Sequence, residues 1–289
     1  KAHMATLRDT IRALYLLMNH GTATNIGAHF PHTLMPTTRR KTHIFLQATT
    51  ALPGIYPMIM LTRLTQHQAI TKRGVIYNSD PVLFFNEDSS QLECWWRFVD
   101  DKSDIVQLKR RCTSNGRDWS DVEIVLQAKR SELDYISFAV IRDSGKYKVW
   151  SIGLDRSLQY CETSDLQNWS EVQTEQLTYP SDTLKSWHIG VNKKPGTDCY
   201  EMVICANDSS TDAKRRYMSL YETSSADGIT WNQCSVLLAP DDCGVDAVRG
   251  LYKSCFAYTP EGRQLLFSYI ENDETRGVGM TSLEEQDDI

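Results

Sequence analysis

The chain has 289 residues, of which 41% are hydrophobic and 24% charged, a balance that excludes a disordered chain and leaves ample material for a core. Its net charge of −6 argues against a nucleic-acid partner, since such binders usually carry a basic face. No apolar run approaches the roughly 18 residues of a membrane-spanning helix, so no membrane insertion is expected.

Lys1-Ala2-His3 ahead of Met4 reads as an expression remnant, and residues 4–289 read as one domain. Residues 5–18 place Leu7, Ile11, Leu14 and Met18 on one face of a helix; the same stretch would equally serve as an outer strand. Ile11 to Met18 is too short and poorly flanked for a signal peptide. A protein made in a cytoplasm without a leader is therefore expected.

Beyond this segment the pattern is β. Residues 42–49 and 56–62 read as two short strands, followed by a degenerate turn at 63–68. The next unit predicts strands at 81–85, 92–98, 105–112 and 122–126, with a turn after Asn86. A third unit predicts them at 138–141, 147–152, 158–162 and 172–177. A fourth has 189–191, 200–206, 217–221 and 235–238. A fifth begins with 254–258 and 264–269 and stops after 277–281.

Three units share one turn before the last strand: Thr113-Ser-Asn-Gly-Arg-Asp-Trp119, Thr163-Ser-Asp-Leu-Gln-Asn-Trp169 and Ser224-Ser-Ala-Asp-Gly-Ile-Thr-Trp231. Small polar residues and glycine suit a tight turn, and tryptophan gives it a large apolar surface to bury. The turns predict that all three tryptophans are buried between sheets. Thr62, Thr113, Thr163, Thr223 and Thr281 are each predicted to end a third strand. Copies recurring at roughly 50 to 60 residues mark a repeat architecture. Five such units without intervening helices predict an all-β, five-bladed β-propeller with four-stranded antiparallel blades. A β-sandwich is the alternative, but it does not require repetition of one hairpin. Because the last unit ends after its third strand, closing the ring calls for a strand from near the N-terminus.

The eight cysteines include no CxxC pair, and several fall inside predicted strands, as buried reduced thiols would. No two Cys or His residues fall at zinc-ligand spacing near a third. No metal or cofactor is expected.

The blade pattern over residues 42–282, with Asp80-Pro81 opening a first strand, resembles the five-bladed propeller glycosidases. These are the arabinanase, β-xylosidase and invertase group, with phage and bacterial glycosidase-like relatives. The tryptophan turns are similar to that group's Ser-x-Asp-Gly-x-x-Trp hairpins. The resemblance implies a carbohydrate substrate and a catalytic carboxylate at Asp80; the phage relatives add a virion component as a possible setting. Where the group's fourth-unit acidic residue would stand, this chain has Trp187-His188.

In a propeller the first strand of each blade lines the central channel, so residues just before those strands converge at one face. Here they are Asp80, Asp134 with Tyr135, Trp187 with His188, and Arg249 with Tyr252 and Lys253. The end of a second strand returns to the same face, which brings Arg97 near Asp80. Glycoside hydrolysis needs two carboxyl groups flanking the bond. Asp80 is the candidate base or nucleophile, and Asp134 the acid or orienting partner. His188 and Glu201 are further catalytic candidates, while Arg97, Tyr135, Trp187, Arg249, Tyr252 and Lys253 are candidates for binding the sugar. Simpler roles stand beside these: Asp80 as a turn starter ion-paired with Arg97, and Glu201 as the partner of a neighbouring cation. The functional alternatives are a non-catalytic sugar-binding propeller, such as a phage tail receptor-binding module, and a protein-interaction disc.

Overall fold

The computed structural model describes residues 47–48, 76–130, 133, 135–210, 218–243, 248–259, 262–271 and 276–283. It is all-β, with one 3-10 turn at Pro240–Asp242 and no α-helix among the described residues. After the short strand β1 (Gln47–Ala48) come β2 (Ile76–Asn86), β3 (Gln91–Asp100), β4 (Ile105–Thr113) and β5 (Glu123–Lys129). A second group comprises β6 (Tyr135–Asp143), β7 (Lys146–Gly153), β8 (Leu158–Thr163) and β9 (Gln173–Glu175). A third comprises β10 (Leu184–Lys193), β11 (Tyr200–Asp208), β12 (Met218–Ser225) and β13 (Ser235–Leu238). The last is β14 (Val248–Thr259), β15 (Gly262–Glu271) and β16 (Arg276–Ser282).

Each group is an antiparallel meander with its strands in chain order, so the described residues form four blades of a propeller. The first strands are neighbours: β2 packs beside β6, β6 beside β10, and β10 beside β14. β1 pairs in parallel with β2 and also touches β14. Of the five expected blades, the first therefore falls outside the described residues except for β1, and so does the segment 5–18. The expected strand at 172–177 shrinks to Gln173–Glu175. It is an outermost strand, fully exposed, with little apolar surface to hold it longer.

The core lies in the seams between blades. Val82, Phe84, Trp95, Val106 and Leu108 of the first blade pack against Phe138, Val140, Tyr147 and Val149 of the next. Trp150, Ile152 and Tyr160 meet Ile189, Val191, Met202 and Ile204 across the second seam. Val203, Leu220, Phe256, Leu265 and Phe267 fill the third. Period-2 alternation puts one side chain in two on each face of a strand, and a blade between two neighbours needs both faces apolar. That is why β11 is buried from Tyr200 to Ala206.

Polar clasps join blades at the hairpin end. Glu93 is buried and accepts from Asn86, Tyr147, Trp95 and Arg110 at 2.7–3.2 Å. Asp143 takes Lys193 at 2.8 Å, Lys148 at 3.1 Å and the Tyr200 hydroxyl at 2.5 Å. Glu201 pairs with Arg263 at 3.4 Å. The cost of burying a carboxylate is offset to the extent that its oxygens are satisfied in this way.

The three turns share one internal hydrogen-bond scheme. Thr113 Oγ1 accepts from the amides of Asn115 and Gly116, and Asn115 Oδ1 from those of Arg117 and Asp118. Thr163 and Asp165 repeat this over the four following amides, as do Ser225 and Asp227. In the third copy the strand runs on to Ser225, two residues past the end expected at Thr223, and Ser225 supplies the hydroxyl while Thr223 donates to the Asn232 carbonyl. The fourth residue of each turn is left-handed: Gly116, Leu166 and Gly228 have φ of 71°, 64° and 78°. Leu166 bears the strain a glycine avoids, offset by packing on the cluster that contains Trp95.

The second and third of these turns reach back to the preceding blade. Trp150 Nε1 donates to the Gly228 carbonyl at 2.6 Å, and Trp231 meets the Trp150 ring edge-on at 6.4 Å. Trp119, Trp169 and Trp231 are half-buried rather than buried; Trp169 and Trp231 pack at the margins of the two seam clusters, with one side toward solvent. Trp95 and Trp150 are the tryptophans at the centre. Trp150→Ala should accordingly destabilise by about 3–5 kcal/mol and Trp169→Ala by roughly half as much. Urea denaturation of both variants checks the order; equal losses would contradict this placement.

Candidate functional site

Each innermost strand with a described start breaks register there. The extra residues fall at Asp80-Pro81 in β2, Ile136 in β6, Trp187 in β10, and Arg249 and Tyr252-Lys253 in β14. A bulge sets two residues against one, kinks the strand and re-aims a side chain. Pro81 suits such a place because it has no N–H to pair. Asp80 has φ of 53°, a left-handed conformation a non-glycine residue takes only when its surroundings enforce it.

Those surroundings are cationic. Asp80 is buried, with Oδ2 at 3.3 Å from Arg97 Nη2 and Oδ1 bonded by Lys253 Nζ. Arg97 donates to Ser79 Oγ at 3.0 Å and to the Tyr135 carbonyl, and its guanidinium lies 5.4 Å from the Tyr135 ring. Three blades are thereby tied at one carboxylate. Burial alone would raise the Asp80 carboxyl, but Lys253 and then Arg97 outweigh it and hold the group well below the usual carboxylate range. His188 adds to this only when protonated.

His188 Nδ1 lies 3.7 Å from Asp80 Oδ1, beyond hydrogen-bonding distance. The ring sits edge-on to Tyr252 at 4.6 Å and to Trp187 at 6.1 Å. Neither ring nitrogen has a protein hydrogen-bond partner. Burial first, then the Lys253 charge, holds the imidazole well below its ordinary value; Asp80 opposes, while Arg97 and Arg156 add to the effect. His188 is neutral at pH 7. Beside it, Arg156 stacks on Trp187 at 4.2 Å and donates to the Ser186 carbonyl at 3.3 Å, from a backbone at φ 73°. Asp80, Ser137, His188, Lys253 and Ser254 line a depression of about 10 Å³, the room one water needs.

The structure thus brings together Asp80, Arg97, Tyr135, Trp187, His188, Tyr252 and Lys253. Arg249 is the first bulge residue of β14. Asp134 lies outside the described residues. Glu201 is elsewhere: its cross-strand partner is Asn192, four residues past His188, about 13 Å along the strand. There Arg263 opposes the burial that raises the Glu201 carboxyl. Arg156 and Ser137 were not expected at the site. Arg156 was legible by the rule that found Arg97, since it follows the end of a second strand. Among the described residues no three His, Cys, Asp or Glu side chains are grouped to hold a metal ion.

No known protein family matches the sequence, and no curated protein is similar to it. Solved structures do match. An N-acetylgalactosamine deacetylase from F. plautii, in complex with blood group B trisaccharide, superposes with a TM-score of 0.61 at 15% identity, over 73% of this chain and 72% of that one. The Cellvibrio cellulosa α-L-arabinanase gives 0.53 at 11% identity, over 72% and 74%. The catalytic domain of the Coprinopsis cinerea GH62 α-L-arabinofuranosidase gives 0.52 at 12%, over 71% and 72%. The chain has the arabinanase-type propeller fold. At these identities what is shared is the fold, so the chemistry has to be read from this chain's own side chains.

The neutral His188 makes stability pH-dependent. In the unfolded chain its pKa is near 6.5, so below that pH the unfolded state binds a proton the folded state refuses. Stability is full above this value and falls as the pH drops through it, by up to about 1.4 kcal/mol per pH unit. Urea titrations at pH 7.5, 6.5 and 5.5 should show this loss in the wild type and a flatter profile in His188→Leu. Identical profiles would mean that His188 has the same proton affinity folded and unfolded, so that its burial does not disfavour the imidazolium.

Proposed function

We propose that the protein binds a carbohydrate across the mouth of the axial channel and hydrolyses a glycosidic bond there, with Asp80 as the ionised carboxylate. The observation that carries this reading is an aspartate held ionised by Lys253 and Arg97 at the bulged end of an innermost strand. Structural neighbours named as arabinanases and an arabinofuranosidase support it. Hydrolysis needs one ionised and one protonated carboxyl across the bond. Asp80 meets the first requirement. For the second the candidate is Asp134, immediately before β6; Glu201 stands at the hairpin end, and a neutral His188 is no proton donor of imidazolium type. Trp187 and Tyr252, both part-exposed, are the rings available for stacking, and Arg249 and Lys253 are the part-exposed donors for hydroxyls. Tyr135 and Arg97 are buried against each other and support the site from below.

A second reading, a sugar-binding propeller without catalysis, is favoured by one observation. Both Asp80 oxygens are already engaged by cations, which is a strong structural role for a group that must also activate water.

We further propose a fifth blade, completed by residues before β2. Its support is the position of β1 between β14 and β2, together with the buried Gly116. The corresponding Gly228 is covered by Trp150 of the preceding blade.

A screen of oligosaccharides and aryl glycosides, followed by Asp80→Asn, tests the enzymatic reading. The variant should lose cleavage by about 10³-fold or more while still binding sugar. If the screen yields binding but no cleavage, the second reading stands. An Asp80→Asn protein that cleaves at the wild-type rate would remove Asp80 from the mechanism.

A further inference from the structure

Resting on the carbohydrate reading of this mouth, we propose that His188 is the residue that selects the ligand, its Nε2 accepting a hydrogen bond from one sugar hydroxyl that enters the depression end-on. A buried polar group without a partner costs free energy, so native proteins rarely leave one unexplained. His188 is 5% exposed, lines the depression, and has no protein partner on either ring nitrogen.

The surroundings determine which nitrogen is the acceptor. Asp80 Oδ1, 3.7 Å from Nδ1, favours the tautomer with its proton on that side, leaving the Nε2 lone pair available. Lys253, Arg97 and Arg156 all disfavour a second proton, so the ring stays an acceptor at neutral pH. The ring cannot turn away easily, because Tyr252 and Trp187 pack on it edge-on.

Size gives the ligand class. Room for about one water admits a hydroxyl oxygen but not a pyranose or furanose ring, which must stay outside it. The group recognised is therefore a single hydroxyl projecting from a sugar, a donor the neutral imidazole can bind and a methyl or hydrogen cannot replace. A site built around a buried acceptor rejects analogues lacking the donor far more strongly than an apolar pocket rejects a change of size.

The test uses the full chain on a glycan array, with wild type, His188→Gln and His188→Leu side by side. Glutamine keeps a carbonyl acceptor; leucine fills the space without one. Glycans bound by the wild type should weaken at least tenfold with His188→Leu and be partly recovered with His188→Gln. His188→Leu should melt no lower than the wild type, which separates lost recognition from lost folding. On the best-bound glycan, one monodeoxy derivative should show the same loss against the wild type and little further loss against His188→Leu. Undiminished binding by His188→Leu overturns the inference and leaves the carbohydrate reading intact. So does a lower melting point for His188→Leu with no deoxy derivative matching its loss. An array on which the wild type binds nothing overturns both.

Discussion

The architecture depends on apolar contact across the seams between sheets. A blade buried on both faces cannot stand alone, and hydrogen bonding along its strands does nothing for the side chains above and below. Trp95 and Trp150, each buried at the centre of a second strand, anchor the first two seams. The turns that follow third strands then seat on the neighbour: Gly228 on Trp150, and Leu166 on the cluster around Trp95. The carboxylates placed in this apolar setting show how strictly it is policed. Glu93 has both oxygens satisfied, whereas Glu201 keeps Oε2 without a partner and its carboxyl is correspondingly raised.

The same radial packing creates the site. Innermost strands run close to the axis, and regular pleating would face alternate residues into the seams on either side. The register breaks at Asp80-Pro81, Trp187 and Tyr252-Lys253 interrupt that alternation at one end of the strands. Charged and aromatic groups from separate blades can then meet over a small depression. Asp80 holds Lys253 of another blade directly, and Arg97 reaches from its own blade to the Tyr135 carbonyl. Chemistry and ring integrity therefore share an anchor, and a change at Asp80 touches both.

Much of this was legible because it is local. A Thr-x-Asn-Gly or Thr-x-Asp turn closes on itself through its own oxygens and amides, so its presence could be read from consecutive residues. The choice between Thr223 and Ser225 could not, since it depends on where the third strand ends relative to the turn. Convergence of Asp80, His188 and Lys253 followed from strand order alone. Glu201 opens a second strand, which in an antiparallel pair lies beside the end of the first, away from the mouth, and there it has the simpler role the sequence allowed, partner of a neighbouring cation. The bulges themselves carry no sequence mark beyond Asp80-Pro81. Only cross-strand register reveals them.

The self-contained turns have a consequence for how such a chain can change. Each is held by a hydroxyl and a carboxylate or amide belonging to the turn itself, so its shape does not depend on which strand precedes it. A duplicated unit therefore arrives with its own fastening and needs only a complementary face to lie on. Divergence can then concentrate at the opposite end of the strands, where one inserted residue redirects a side chain toward the axis.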